Sequence, residues 1–257
     1  MIKDTQSSVD IRKITIDRVG VKRVRHPLSI LQRDGTPQAS VAYCDLAVLL
    51  PAEQRGTHMS RFVELLNKID TPLTAKNFTA LLHTMLKHLE ASQGGIQFEF
   101  PFFMQKIAPV SKRESLLDYK IILSAEQTKV TKVTCTVVVP VKSLCPCSKE
   151  ISEYGAHNQR SHLTVTVAWN DSFSIEELIE LIEAQGSSPI YSLLKRSDEK
   201  YLTEYAYNNP KFAEDLVRDT AAALDADTRF PCYKVEAENF ESIHNHSAYA
   251  WIEKSNN

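Results

Sequence analysis

Two cysteines and two histidines, side chains that commonly bind transition metals, lie within one stretch of twenty residues. The stretch SLCPCSKEISEYGAHNQRSH, residues 143–162, contains Cys145, Cys147, His157 and His162. Cysteine thiolate and neutral imidazole are good ligands for zinc and similar divalent ions. Three interpretations fit these residues: a disulfide between the two cysteines, a structural metal site, or a catalytic metal site that keeps one position open for water.

The number and spacing of the cysteines weigh against the first two interpretations. The chain has five cysteines, an odd number, and no apolar leader, which is not typical of a disulfide framework. A Cys-Pro-Cys bridge would also close a strained ring. Structural zinc sites use paired arms such as CxxC, and the sequence has no second arm of that kind. In an extended segment Cys145 and Cys147 would point the same way; the alternative without chemistry is two small buried apolar residues.

A second candidate cluster lies near the carboxyl end, in ENFESIHNHSAYA, residues 238–250. His244 and His246 stand two residues apart, so they share one face if the segment is extended. Glu241 precedes them closely. These residues suit metal ligands or an acid–base pair, and they equally suit a polar hairpin tip.

Two further glutamates have ordinary structural explanations on spacing alone. In KRSDEKYLTEYAYNNPKFAEDLVRD, residues 195–219, Glu199 follows Ser197, which is suited to cap a helix. The helix dipole explains a glutamate in a first turn. Glu214 lies four residues before Arg218, the spacing of a surface ion pair.

Basic side chains in two places are candidates for binding phosphate. His58 and Arg61 lie in GTHMSRF at the predicted start of a helix, where free backbone N–H groups gather. Lys112 and Arg113 follow a proline-bearing loop. A solvated charged rim explains the same residues without a ligand.

These residues need a scaffold, and hydrophobic periodicity predicts one built from two similar halves. The first half contains predicted strands at 21–32 and 39–50, helices at 61–69 and 77–90, and strands at 94–103 and 115–123. The second half contains predicted strands at 129–141 and 162–169, helices at 174–184 and 209–224, and strands at 233–239 and 247–253. Ser174 and Glu177 form a capping box, and Pro210 suits a first helical position.

We therefore predict an α+β protein of two tandem ββααββ units, with antiparallel sheets and helices on one face. The predicted division is an N-terminal extension at 1–20, a first unit at 21–125, and a second unit at 126–257 that carries most of the site. The long polar stretch between the strands at 129–141 and 162–169 is predicted as a functional loop.

Composition excludes several classes of function. The net charge of −2 gives no basic field for nucleic acid or an anionic membrane, and no apolar run approaches the length of about 20 residues that spans a bilayer. MIKDTQSSVDIRK lacks the apolar core of a secretory signal, so we expect a cytoplasmic protein. The sequence contains no P-loop, GxGxxG, HExxH or GxSxG pattern, which argues against the common nucleotide-binding, zincin and hydrolase families.

The run PVKSLCPCSKEISEYGAHNQRSH resembles the signature of GTP cyclohydrolase IB, a prokaryotic family. Similar family segments span residues from about 20 to about 250: LPAEQRGTHMSRF, FPFF, APVSKRESLLDY, LLKRSDEKYLTEYAYNNPKFAEDLVRD and ENFESIHNHSAYA. The family belongs to the tunnelling-fold superfamily, whose unit is ββααββ, with two units in tandem in type IB. The resemblance therefore implies the duplicated architecture that periodicity predicts independently.

The resemblance implies that GTP and water give formate and 7,8-dihydroneopterin triphosphate, at the start of folate synthesis. It implies one divalent metal per active site, zinc, manganese or iron, bound by Cys145, His157 and Glu199. Cys147 and His244 would lie beside the metal, with His246 as a further catalytic candidate.

The substrate contacts that the resemblance implies are a carboxylate for guanine and cations for the triphosphate. Glu214 is the first choice for the guanine carboxylate, and Glu241 is the alternative. The candidate cations, together with His58, are Arg61, Lys112, Arg113 and Arg160. The resemblance also implies a homotetramer with active sites at subunit interfaces.

Three other functions remain open from the sequence. A related cyclohydrolase would share the metal ligands but make dihydroneopterin cyclic phosphate. A nitrile reductase of the same superfamily would use a nucleophilic cysteine and NADPH without a metal, and His157 with Glu199 argue against it. A non-catalytic scaffold would bind a purine or pterin and keep a structural metal.

Overall fold

Long strands and short helices make up the described part of the chain, which in this computed structural model is residue 6 and residues 8–255. The first half contains β1 (Ile16–Leu31), β2 (Pro37–Leu50), α1 (Met59–Leu66), α2 (Ala75–His88), β3 (Gly94–Ile107) and β4 (Glu114–Gln127). The second half contains β5 (Thr131–Leu144), α3 (Pro146–Ile151), β6 (Asn158–Ala168), α4 (Ile175–Glu183), β7 (Ser188–Pro189), α5 (Arg196–Asn208), α6 (Ala213–Asp225), β8 (Tyr233–Phe240) and β9 (Ser247–Lys254). This confirms the α+β class.

Within the described residues, the strands form one nine-stranded sheet in the hydrogen-bonded order β1-β2-β3-β4-β5-β6-β8-β9, with β7 paired to β5. The pairs β1–β2, β2–β3, β6–β8 and β8–β9 are antiparallel. Buried and more exposed residues alternate along β2 and β5, as expected of strands with one face in a core. In the pairing of β6 with β8, Ser161 lies opposite Asn239.

The residues group into two compact units. The first comprises the chain up to Pro101, Ile122–Cys135 and Trp169–Asp171. Its core includes Phe78, whose ring makes edge contacts with Phe98 at 5.2 Å and with Trp169 at 5.7 Å between centroids. Such aromatic contacts add to the stabilisation that comes from burial alone.

The second unit comprises Phe102–Ile121, Thr136–Ala168 and the chain from Ser172 onward. Its buried apolar residues include Leu178 and Ile182 on α4. Because each unit is made of separate stretches of the chain, this division does not test the predicted boundaries after residues 20 and 125, which stay predictions.

Every predicted strand and helix is present, with ends displaced by up to five residues. The capping box is confirmed: the Ser174 hydroxyl accepts from the Glu177 amide at 3.2 Å, and the Glu177 carboxylate accepts from the Ser174 amide at 2.8 Å. Pro210 is not the first helical residue, because α6 begins at Ala213 behind Phe212.

The second half contains three elements in addition to the predicted ββααββ repeat: α3, β7 and α5. Hydrophobic periodicity did not predict α5, because only three of its thirteen residues are buried: Asp198, Leu202 and Ala206. Ser197 does not cap it; the N-cap residue is Lys195.

The carboxylate of Asp198 joins the start of α5 to the turn between β3 and β4. One oxygen accepts from the amides of Val110 at 2.9 Å and Ser111 at 2.8 Å, and the other accepts from the Lys195 amide at 2.8 Å. Burial alone would raise the pKa of Asp198, but hydrogen bonds from Ser111, Lys195 and Val110 outweigh burial and hold the pKa well below its usual range. The charged form of this buried side chain therefore positions both segments.

We expect Asp198→Asn to destabilise the protein at neutral pH and to flatten its acid dependence. A carboxyl whose pKa is lowered by folding stabilises the folded state above its unfolded pKa of about 4 and loses that contribution as pH falls toward the folded pKa. Urea unfolding of wild type and variant from pH 7 to pH 3 measures this, with the exposed Asp171→Asn as control. The difference in unfolding free energy should shrink toward low pH; a difference constant with pH would contradict the role of the charge.

Candidate functional site

Cys145 stands at the amino end of α3, in the second compact unit. It is the N-cap residue, with Pro146 at the first helical position. Its sulfur accepts a hydrogen bond from the Ser148 amide at 3.4 Å. A thiolate is the form that binds metals and accepts hydrogen bonds best, so the capping position suits a ligating sulfur.

Ser148 and the backbone tie Cys145 to His157. The Cys145 amide donates to the His157 carbonyl at 3.1 Å. The His157 amide donates to the Ser148 hydroxyl at 3.1 Å, and that hydroxyl donates to the Cys145 carbonyl at 3.3 Å. We call this set of three hydrogen bonds the Ser148 bracket. It brings together two residues that are twelve apart in the sequence.

The site sulfurs do not share one face of an extended segment, contrary to the expectation from spacing. Cys147 lies within α3 and is exposed, whereas Cys145 is half-buried at its cap. The disulfide interpretation is wrong, because Cys44, Cys135, Cys145, Cys147 and Cys232 are all free thiols. Burial raises the pKa of Cys44 and of Cys135 to about 12, which suits small core residues.

The start of α6 is fastened beside this loop. The Lys211 amide donates to the Leu144 carbonyl at 3.0 Å, and the Leu144 amide donates to the Ser187 hydroxyl at 3.1 Å. Leu144 directly precedes Cys145, and Glu214 follows Lys211 by three residues. Glu214 lies exposed in the first turn of α6. Arg218 is paired with Asp215 at 4.0 Å, so its predicted partner Glu214 is not the nearest carboxylate.

The segment between β8 and β9 also reaches His157. The Ser242 hydroxyl lies 3.5 Å from the His157 Nδ1 atom. His244 and His246 are exposed in this segment, and their rings stack at 5.2 Å between centroids. The neighbouring Glu241 is half-buried. The second cluster therefore lies beside the first, although its histidines sit in a bend and not in a strand.

The second unit also holds three of the candidate cations. Lys112 and Arg113 are exposed in the turn that Asp198 fastens, and Lys112 has a positive φ of 58°. The Lys112 ammonium donates to the Pro109 carbonyl at 2.8 Å. Arg160 is exposed on β6.

The two remaining phosphate candidates belong to the first unit. His58 is the N-cap residue of α1, and Arg61 lies in the first turn of that helix. The Arg61 guanidinium donates to the His88 carbonyl at 3.2 Å. A helix start at this point agrees with the prediction from GTHMSRF.

Glu199 lies exposed in the first turn of α5, next to Asp198. Within residue 6 and residues 8–255, no three His, Cys, Asp or Glu side chains are grouped closely enough to hold a metal ion. The donor chemistry of Cys145 and His157 nevertheless fits a divalent metal, and the Ser148 bracket holds the backbones of these two residues together. The His157 Nδ1 atom also has a partner, the Gln159 amide oxygen at 3.2 Å, as metal-binding histidines commonly do.

Sequence reasoning missed Ser148, Gln159 and Asp198. Ser148 lies three residues after the cap, the spacing at which a backbone amide reaches an N-cap side chain, so a capping search would have found it. Asp198 had a similar capping signal, because it is a carboxylate three residues after Lys195, the N-cap residue of α5. Gln159 lies two residues after His157, but its other partner, Ser143, depends on how the strands pair, so spacing did not single it out.

Comparisons with known proteins identify the family of this chain. The family model described as "Type I GTP cyclohydrolase folE2" matches residues 2–250. The GTP cyclohydrolase FolE2 of Burkholderia multivorans is 55% identical over 255 residues, covering 99% of this chain and 95% of that protein. The GTP cyclohydrolase FolE2 of Aromatoleum aromaticum is 52% identical over 254 residues, covering 98% and 93%.

A solved structure of a hyper-thermostable AgUricase mutant matches with a TM-score of 0.51 at 9% identity, covering 93% of this chain and 92% of that one. At that identity the likeness concerns the fold alone, and it agrees with the tunnelling fold. Among the described residues, no helix is both long and apolar enough to cross a membrane. The matches confirm a type I cyclohydrolase and replace the label IB with the group name FolE2. The chain belongs to the type I GTP cyclohydrolase family, in its FolE2 group.

Proposed function

We propose that this chain hydrolyses GTP to formate and 7,8-dihydroneopterin triphosphate, the first step of folate synthesis, at a site centred on the Ser148 bracket. The GTP cyclohydrolase activity follows from family membership over nearly the whole chain. The single structural observation that supports the location of the active site is the set of hydrogen bonds that joins Cys145 to His157.

Cys145 and His157 would hold one divalent metal together with Glu199. A metal in this position supplies Lewis-acid activation of water, which guanine C8 requires because it is a poor electrophile. The ligand set accepts zinc, manganese or iron. Glu199 is not grouped with the other two ligands, so its approach belongs to the assembled or substrate-bound protein in this proposal.

The chain's other residues orient the substrate and move protons. A carboxylate that accepts both N1–H and N2–H of guanine directs C8 toward the metal and selects guanine over adenine. Glu214 takes this role in the proposal, since the hydrogen bond from Lys211 to Leu144 places the start of α6 beside Cys145. His244 and His246 can accept and return protons at the ring nitrogens of the opening base.

The triphosphate would meet the exposed cations Lys112, Arg113 and Arg160, with Arg61 and His58 as further candidates. The proposal includes a homotetramer whose active sites lie at subunit interfaces, and a cytoplasmic location. Exposed aromatic side chains on β9, Tyr249 and Trp251, are consistent with an intersubunit surface.

We expect purified protein loaded with zinc, manganese or iron to release formate from GTP and to form dihydroneopterin triphosphate. Absorbance and mass spectrometry of the product measure this. Formation of the cyclic phosphate would instead assign the related cyclohydrolase activity. A folded protein that binds guanine without turnover under all three metals would overturn the catalytic proposal in favour of a binding scaffold.

We expect Cys145→Ala to lower kcat/KM for GTP to less than about one hundredth of the wild-type value, because loss of a ligand exceeds the cost of losing a residue that only supports one. The matched control is Cys232→Ala, another half-buried free thiol in the second unit. Circular dichroism and urea unfolding check that the fold survives. Unfolding of the Cys145 variant alone would indicate a structural metal and count against a catalytic one.

We expect Glu214→Gln to lower kcat/KM for GTP by about 10- to 100-fold, since a hydrogen bond to a charged acceptor is worth about 1.5–3 kcal/mol. Glu241→Gln should change it less, and Glu204→Gln on exposed α5 serves as control. The comparison uses initial rates at saturating metal. A large loss in the Glu241 variant with none in the Glu214 variant would move the guanine contact to the segment after β8.

A further inference from the structure

A line of buried polar side chains runs from the His157 ring to β8. The Gln159 amide oxygen lies 3.2 Å from His157 Nδ1, and the Gln159 amide nitrogen donates to the Ser143 hydroxyl at 2.8 Å. The Ser161 hydroxyl lies 2.7 Å from the Ser143 hydroxyl and 2.7 Å from the Asn239 amide oxygen. Ser143 and Ser161 are fully buried. Gln159 is 8% exposed and Asn239 is 3% exposed.

The hydrogen-bonding capacities of these groups give the line a direction. The Asn239 amide oxygen only accepts, so the single proton of the Ser161 hydroxyl points to it. Ser143 must then donate to Ser161, and its own oxygen accepts from the Gln159 amide nitrogen. The Gln159 oxygen therefore faces the His157 Nδ1 atom as an acceptor, an arrangement that favours a proton on Nδ1.

We propose that Gln159 is a positioning residue that fixes His157 in the tautomer with the proton on Nδ1 and the lone pair on Nε2. That tautomer presents Nε2 to the metal, so this inference rests on the proposed metal role of His157. Ser143, Ser161 and Asn239 hold the Gln159 amide in the required orientation. Turning the Gln159 amide around would cost free energy, because its buried oxygen and nitrogen would each lose their hydrogen-bond partner.

The pairing of β6 with β8 explains how the polar line extends from His157 to Asn239. Ser161 and Asn239 face each other across β6 and β8, and Asn239 precedes the segment that carries His244. Ser242 also lies near the Nδ1 atom of His157, but at 3.5 Å it is the longer contact, and its side chain is exposed. The buried Gln159 is therefore the group that sets the tautomer.

The test uses metal-free protein labelled with ¹⁵N in histidine, with His157 assigned from a His157→Ala sample. We expect neutral wild-type His157 to give the nitrogen shifts of a protonated Nδ1 and an unprotonated Nε2. Gln159→Leu should lose this preference, while Gln159→Glu, which keeps an acceptor oxygen, should retain it. A wild-type ring protonated on Nε2 would overturn the proposal, whether or not any variant folds.

Zinc binding gives the second readout, measured by competition with a chelator in the absence of GTP. We expect Gln159→Leu to weaken zinc binding by about 10- to 100-fold, the usual effect of removing a partner of a ligating histidine. The matched control is Gln185→Leu, whose half-buried amide donates to the Leu181 carbonyl on α4, and its zinc affinity should be unchanged. Equal affinity in wild type and the Gln159 variant would overturn the proposal. Since neither readout uses GTP, failure of the cyclohydrolase proposal would show separately as absent turnover.

Discussion

The hydrogen bond from the Cys145 amide to the His157 carbonyl is the constraint on which the rest of the site depends. It closes the polar segment between β5 and β6, and Ser148 completes the closure by bonding both residues. Closing a flexible loop costs conformational entropy, and several hydrogen bonds together with a helix cap offset that cost here. The backbones of Cys145 and His157 are thereby held together before any metal binds, which lowers the ordering cost of binding one.

The surrounding elements extend this arrangement in three directions within the second unit. Lys211 fastens the start of α6 to the strand residue before Cys145, and Ser242 brings the β8–β9 segment to the His157 ring. Gln159 contacts the same Nδ1 atom of His157 and connects it to the buried polar line. Glu199 stands apart on α5, whose start is held by the buried carboxylate of Asp198. Two of the three proposed ligands are thus joined by hydrogen bonds, and the third lies on a helix that is held separately.

Local patterns in the sequence predict those parts of the structure that local interactions determine. The Ser174–Glu177 capping box and the alternation along β2 and β5 need only neighbouring residues, and both are correct. The helix α5 was not predicted, because its buried stripe is too narrow to produce a clear hydrophobic period. Gln159 was not predicted because the contact that orients its amide, with Ser143, depends on strand pairing, which spacing along the chain does not reveal. Residue type and spacing singled out the stretch with Cys145 and His157, whereas Glu199 and Glu214 became candidates only through the resemblance to a family.

The most direct measurement is X-ray absorption at the zinc edge of zinc-loaded protein, since it reads the ligands without requiring turnover. Our account predicts one sulfur ligand at about 2.3 Å with the remaining ligands nitrogen or oxygen at about 2.0–2.2 Å. The sulfur signal should vanish in Cys145→Ala and persist in Cys147→Ala. A spectrum with two sulfur ligands, or one whose sulfur persists without Cys145, would contradict a site built on the union of Cys145 with His157.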